Sequence, residues 1–191
     1  MTSNNYIKEY QQSVLHHYSS VWGINFKHKK WSNGPIVEAV PHFSVLEYKP
    51  CLNRKMWTYA TCGMSAQTDL FPIELHIFSS VQDESLVELL SIICYYHNVE
   101  AKLGLGHTVD FGRPWQNSST STFGLVSLPY LDGPKLEIMP WKDNKDIHFY
   151  WLIPITKAEV RYKKEVGLEA LESKLETDGF NYIDPYRNSV V

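Results

Sequence analysis

The chain has 191 residues, 21 acidic and 18 basic side chains, and a net charge of −3. That balance, with no strongly basic block, excludes nucleic acid as the main partner, because phosphate binding needs clustered Lys and Arg. A chain of this length buries roughly 70% of its unfolded surface on folding, so it needs no metal or disulfide for stability, and its apolar runs fall far short of the ~20 residues of a membrane helix. Cys51, Cys62 and Cys94 are an odd number without metal-like spacing, and the amino terminus is too polar for a signal peptide. Together these predict a cytoplasmic protein with reduced thiols.

Ile7, Tyr10, Val14, Tyr18 and Val21 recur at helical spacing. They predict a first helix over residues 4–21, capped by Thr2, Ser3 or Asn4 and closed by Gly23. The adjacent His16 and His17 make a poor metal pair, since helical ligands need a spacing of three or four. The basic cluster Lys27–Lys30 reads as a loop, Asn33-Gly34-Pro35 as a turn, Ile36–Val40 as a strand, and residues 43–55 as a connection between strands. Met56–Met64 reads as a strand with Trp57, Tyr59 and Thr61 on one face and Thr58, Ala60 and Cys62 on the other, ending at a Gly63 bulge or close backbone approach. A polar turn follows over Ser65–Asp69. Ile73–Phe78 alternates again, placing Glu74 and His76 together on the polar face of a half-covered sheet. Asp83 or Ser85 caps the next helix, running to Asn98. Its stripe of Leu86, Leu89, Leu90 and Ile93, widened by Val87 and Cys94, predicts near-complete burial. Of the cluster Tyr95-Tyr96-His97, one tyrosine must point outward.

Gly104 and Gly106 lack the third glycine and the Lys-Ser/Thr of nucleotide loops. The stretch reads instead as an approach to a strand, His107–Phe111, then a turn at Gly112-Arg113-Pro114 and an exposed polar loop over Gln116–Thr122. Phe123–Leu128 and Lys135–Met139 read as a hairpin around Asp132-Gly133-Pro134. Trp141–Asp146 is a charged connection into Ile147–Ile153, a strand covered on both faces and ended by Pro154. Thr156 and Glu159 have capping-box spacing, so a helix starts at about Lys157, with Lys163 and Lys164 near its end and Gly167 as its stop. A further helix carries Leu168, Leu171 and Leu175. Residues 176–191 read as a polar, partly loose tail pinned by Phe180, Tyr182 and Tyr186. The sum is one α+β domain over residues 1–191: a mixed, mainly antiparallel β-sheet with helices 84–98 and 157–175 packed on it.

Chemistry has weak support. His107, Asp110 and His148, with Glu74 and His76 nearby, form the best catalytic set, a metal-assisted hydrolase. No element supplies two ligands, no serine or cysteine sits in a nucleophile elbow, and Cys94 lies in an apolar helix. The chain therefore reads as no enzyme, with no cofactor and no metal.

The segments Trp57-Thr58-Tyr59, Thr61-Cys62-Gly63-Met64-Ser65, Phe71-Pro72-Ile73-Glu74-Leu75, Gly106-His107-Thr108-Val109, Phe123-Gly124 and Trp151–Leu175, in this order and spacing, resemble the suppressor of fused family over residues 57–175. The resemblance, to its compact bacterial members, implies a regulator acting by protein–protein contact: an immunity protein or antitoxin occluding a cognate toxin such as a nuclease, or alternatively a protein sequestering a transcription factor. The mild acidity and the aromatic content of 14% suit a basic partner. The animal member clamps an extended peptide beside a sheet edge. Its contact tyrosine falls at Tyr95, but its contact aspartate falls at His107, a departure that points to a different partner. Tyr95, His107, Arg113 and Trp115 are therefore the candidate partner-binding residues.

Overall fold

The computed structural model describes residues 4–66, 71–116 and 118–191. Thr2 and Ser3, named as caps, lie outside them, as does most of the predicted turn after Ser65. Helices α1 (Asn4–Trp22), α2 (Ile36–Ala39), α3 (Ser85–Val99), α4 (Pro134–Glu137), α5 (Lys157–Val166) and α6 (Leu168–Thr177) alternate with eight strands. These are β1 (Phe26–Lys29), β2 (Ser44–Tyr48), β3 (Trp57–Cys62), β4 (Ile73–Ser79), β5 (Thr108–Asp110), β6 (Ser121–Ser127), β7 (Ile138–Pro140) and β8 (Asp146–Thr156). They form one sheet in the order β1-β2-β3-β4-β8-β6-β5, with β7 pairing the first residues of β8. Every pairing is antiparallel except β4 with β8.

Side chains alternate across this sheet, and both faces are covered. On one face α2 and α3 pack Ile36, Leu86, Leu89, Leu90 and Ile93 against Val45, Tyr59, Leu75, Ile77 and Leu152. On the other, α1 lays Ile7, Tyr10, Val14 and Tyr18 over Leu46, Ala60, Cys62 and Phe149. Beyond it, Val160, Leu171 and Leu175 cover Phe78, Leu125, Trp151 and Ile153. Glu74 and His76 therefore sit under a lid and are fully buried, not on the polar face of a half-covered sheet.

Local signals give several elements directly. Gly23 ends α1 at φ 85°, its amide donating to Ser19 O. The capping box forms in full: Glu159 N donates to Thr156 Oγ1 (3.2 Å), and Thr156 N to Glu159 Oε2 (2.7 Å). Tyr96 is 36% exposed, while His97 turns inward to Ser65 Oγ and accepts the Leu103 amide.

Other expectations need correction. Lys27–Lys29 belong to β1, paired with β2. Ile36–Ala39 is a single helical turn, because its apolar residues pack on α3 rather than join a ladder. The hairpin over 123–139 does not form: β6 pairs β5 and β8, and residues 134–137 are helical. Pro154 lies inside β8, opposite Gly124. On the other side the pairing with β4 stops at Trp151, so no ladder bond there calls on Pro154 for an N–H, and its carbonyl accepts from Arg187 Nη2 at 2.9 Å. Gln116, Ser119 and Ser121 are buried rather than looped into solvent, with Gln116 Nε2 donating to Ser79 Oγ and Asp83 Oδ2. In the tail, Phe180 and Tyr182 pack on Trp151 as expected, but Tyr186 is exposed, and the further anchor is Arg187, whose guanidinium pairs with the buried Glu159. Among the described residues no helix is long and apolar enough to cross a membrane.

Candidate functional site

The hydrolase constellation does not assemble. Asp110 of β5 stands opposite Phe123, which stands opposite Ile155 of β8. His148 pairs with Ile73 and Ile138 near the start of β8. From residue 148 to 155 a strand advances about 23 Å, so His148 is far from both His107 and Asp110. Among the described residues no cluster of three His, Cys, Asp or Glu stands close enough to hold a metal.

Glu74 and His76 share a face but not a function. Burial pushes the Glu74 carboxyl up to about 7. The Thr61 hydroxyl and the amides of Gly63 (2.9 Å) and Met64 (3.0 Å) hold it in place and oppose that rise. Gly63 is the close approach expected there, at φ 96° with the Gln11 side chain 3.1 Å from where a Cβ would stand. His76 is also fully buried; burial and the nearby Arg54 keep it neutral. Arg54 is held between the rings of Trp22 (4.7 Å) and Phe78 (5.3 Å). Asp132 Oδ1 accepts from Arg54 and from Trp22 Nε1 at 2.7 Å. This cluster ties α1 and the Arg54 turn to the loop before α4.

Tyr95 borders a surface groove of about 490 Å³; Arg113 is not part of its lining and meets it only through Glu88. Glu88, Ile92 and Tyr95 of α3, with the buried Ser91 between them, line one side of the groove, and Trp31, Pro35 and Ile36 line the other. Ile92 is 46% exposed. At the start of α3, Arg113 Nη2 donates to Ser85 O at 2.7 Å and lies 3.6 Å from Glu88. His107 is exposed but stands apart. Its amide donates to Gly104 O, its carbonyl accepts from Val126 N, and Gly106 beside it abuts Leu168 of α6. Trp115 is 1% exposed and packs in the core beneath α3, so the candidate surface is drawn without it. Sequence reasoning missed Trp31, Pro35 and Ile92. Ile92 lies off the buried stripe of α3, but in so apolar a helix that departure carries little signal.

A sequence model of the suppressor of fused protein family matches residues 40–188. A search of curated proteins returned no match. Among solved structures, the chain is similar to a suppressor of fused homolog from Neisseria gonorrhoeae FA 1090, at 32% identity and a TM-score of 0.83 over 96% of this chain and 98% of that one. It shares the fold of a chain in the Sufu–Fu complex, at 13% identity and a TM-score of 0.70 over 95% and 92%. Drosophila Suppressor of Fused is also similar in fold, at 13% identity and a TM-score of 0.66, with 95% of this chain covering 51% of that one.

Proposed function

The chain belongs to the suppressor of fused family, and from that premise we propose that it is a non-catalytic protein-binding regulator that neutralises a partner by occupying its surface. The observation that carries this reading is the groove along α3. A half-buried tyrosine and an exposed isoleucine face Trp31 and Ile36, and the Glu88–Arg113 pair supplies polar orientation at one end. Aromatic and aliphatic anchors in a desolvated groove, with charges at the rim, are the usual source of binding energy between proteins. The Sufu–Fu complex is a protein–protein assembly in the same fold. Among the described residues His107, Asp110 and His148 do not come together as a metal site.

The partner we favour is a cognate toxin, a basic enzyme such as a nuclease, and the chain is then its immunity protein. The net charge of −3 complements such a partner and raises the rate of encounter. The test is capture of partners from native cells by the tagged chain, followed by a growth assay. The expected result is a stoichiometric protein whose expression alone arrests growth, rescued by the wild-type chain and not by Tyr95→Ala or Ile92→Asp of unchanged Tm. A captured protein that is harmless when expressed alone overturns the toxin reading. Rescue by both variants overturns the groove.

A further inference from the structure

The face of the sheet opposite α3 carries a second opening. Leu152 of β8 points toward α3, whereas its neighbours Trp151 and Ile153 point toward α6. Between α6, the segment after β6 and the tail lies a cavity of about 570 Å³. Trp151, Ile153 and Leu175, none more than 3% exposed, form its floor. Phe180 and Tyr182 wall one side. Tyr130 and Leu131 stand at the mouth, 57% and 47% exposed.

The rim is of one sign. Glu169, Glu172 and Glu176 fall at i, i+3 and i+7 on α6, a row about 10 Å long. All three border the cavity, and no Lys, Arg or His does. Glu172 is held in place by the Ser127 hydroxyl at 2.7 Å and faces the Tyr130 hydroxyl. Glu169 and Glu176 are exposed.

We propose that this cavity docks a segment of a protein partner that inserts one aromatic or large aliphatic side chain and flanks it with Arg or Lys on the glutamate row. The floor rewards an apolar anchor, since filling a concave apolar pocket is where binding energy concentrates. The row selects the neighbours of that anchor: an acidic segment meets like charge at close range, whereas cations gain attraction and are steered in. The same carboxylates reject phosphate-bearing nucleic acid and anionic lipid. The site does not depend on the α3 groove, which lies across the sheet.

The probe is a fluorescein-labelled five-residue peptide with a central tryptophan between two arginines on each side. Its controls carry a central alanine, or four glutamates in place of the arginines. Binding is read by fluorescence anisotropy at low salt, and its position by amide chemical shifts of the isotope-labelled chain. The expected result is tightest binding by the tryptophan–arginine peptide, with shifts at Tyr130, Leu131, Ser173 and Gly179. Glu169→Lys with Glu176→Lys, both exposed changes, should weaken it at least tenfold at unchanged Tm, as should Leu131→Asp. Tyr95→Ala should leave it unchanged, so failure of the groove and failure of this site are separable. No binding, equal binding of the alanine control, shifts elsewhere, or indifference to charge reversal would each overturn the proposal.

Discussion

Replacing Arg187 by alanine would remove the cation from a carboxylate with no route to solvent. The Glu159 side chain is 0% exposed and that of Arg187 7%. The carboxylate accepts from Arg187 Nη1 at 2.7 Å and Nη2 at 2.8 Å, and from the amides of Thr156 at 2.7 Å and Val190 at 3.1 Å. Breaking one side of a buried ion pair costs about 3–5 kcal/mol, because the remaining charge keeps its desolvation penalty. The guanidinium also packs 5.4 Å from the Phe180 ring. In a chain of this size each kcal/mol moves Tm by about 2–4 °C, so Arg187→Ala should lower it by about 6–20 °C. Urea titration should show a lower midpoint and melting an earlier transition. Adding Glu159→Gln should recover part of the loss, since no charge then stays buried. The pH profile gives a second readout. Burial pushes the Glu159 carboxyl up, but Arg187 and the Thr156 and Val190 amides outweigh that and hold it below its ordinary value. A depressed folded pKa contributes stability that is complete above the unfolded pKa and is lost as pH falls through the folded one. Arg187→Ala should remove much of that acid limb. A change below about 1 kcal/mol, at constant urea dependence, would refute the reasoning and detach the tail from the core.

Leu89→Ala should cost about 2–5 kcal/mol in urea titration, since Leu89 is fully buried under the sheet; a cost within titration error would contradict the placing of α3. Gly124→Ala would set a Cβ 2.6 Å from Leu152 Cδ1 and 2.7 Å from the Phe111 ring, and overpacking of that kind should cost about 1–3 kcal/mol; unchanged stability would show that the β5–β6 pairing gives way freely. Glu74, raised by burial from 4.5 to about 7, binds its proton more tightly folded than unfolded. Its contribution is full below the unfolded pKa and lost as pH rises through the folded one, about 3 kcal/mol across that window. Glu74→Gln should flatten the stability profile between pH 4.5 and 7, and an unaltered slope would remove Glu74 as its source.

What was legible in the sequence was local. The α1 stripe, the Gly23 stop, the α3 stripe, the Thr156–Glu159 box and the Gly167 joint rest on contacts within a few residues, and each stands where periodicity and cap chemistry put it. The alternation of β3 and β4 was equally readable, and so was the family, whose motifs lie along those same elements. Of the candidate site, Tyr95 was proposed through the resemblance to the family's contact tyrosine, and it borders the groove. The groove was not, because its facing wall comes from residues 31–36, far away in the chain.

The remainder depended on which element lies next to which. Ile36–Val40 has too few apolar residues for periodicity to separate strand from helix, and packing on α3 decides it. Pro154 stays inside β8 because the β4–β8 pairing stops at Trp151. Glu74 and His76 read as solvent-facing until α1, 19 residues of sequence ending at Trp22, is laid across their side of the sheet. Trp115 is drawn into the core, and the tail's charge is spent on a helix cap 28 residues earlier. Sequence by itself determined the elements, since propensity and capping act over one or two turns. Only the tertiary structure decided burial, and with it which polar groups are structural and which are open to a partner, because burial is set by long-range contacts that no local pattern encodes.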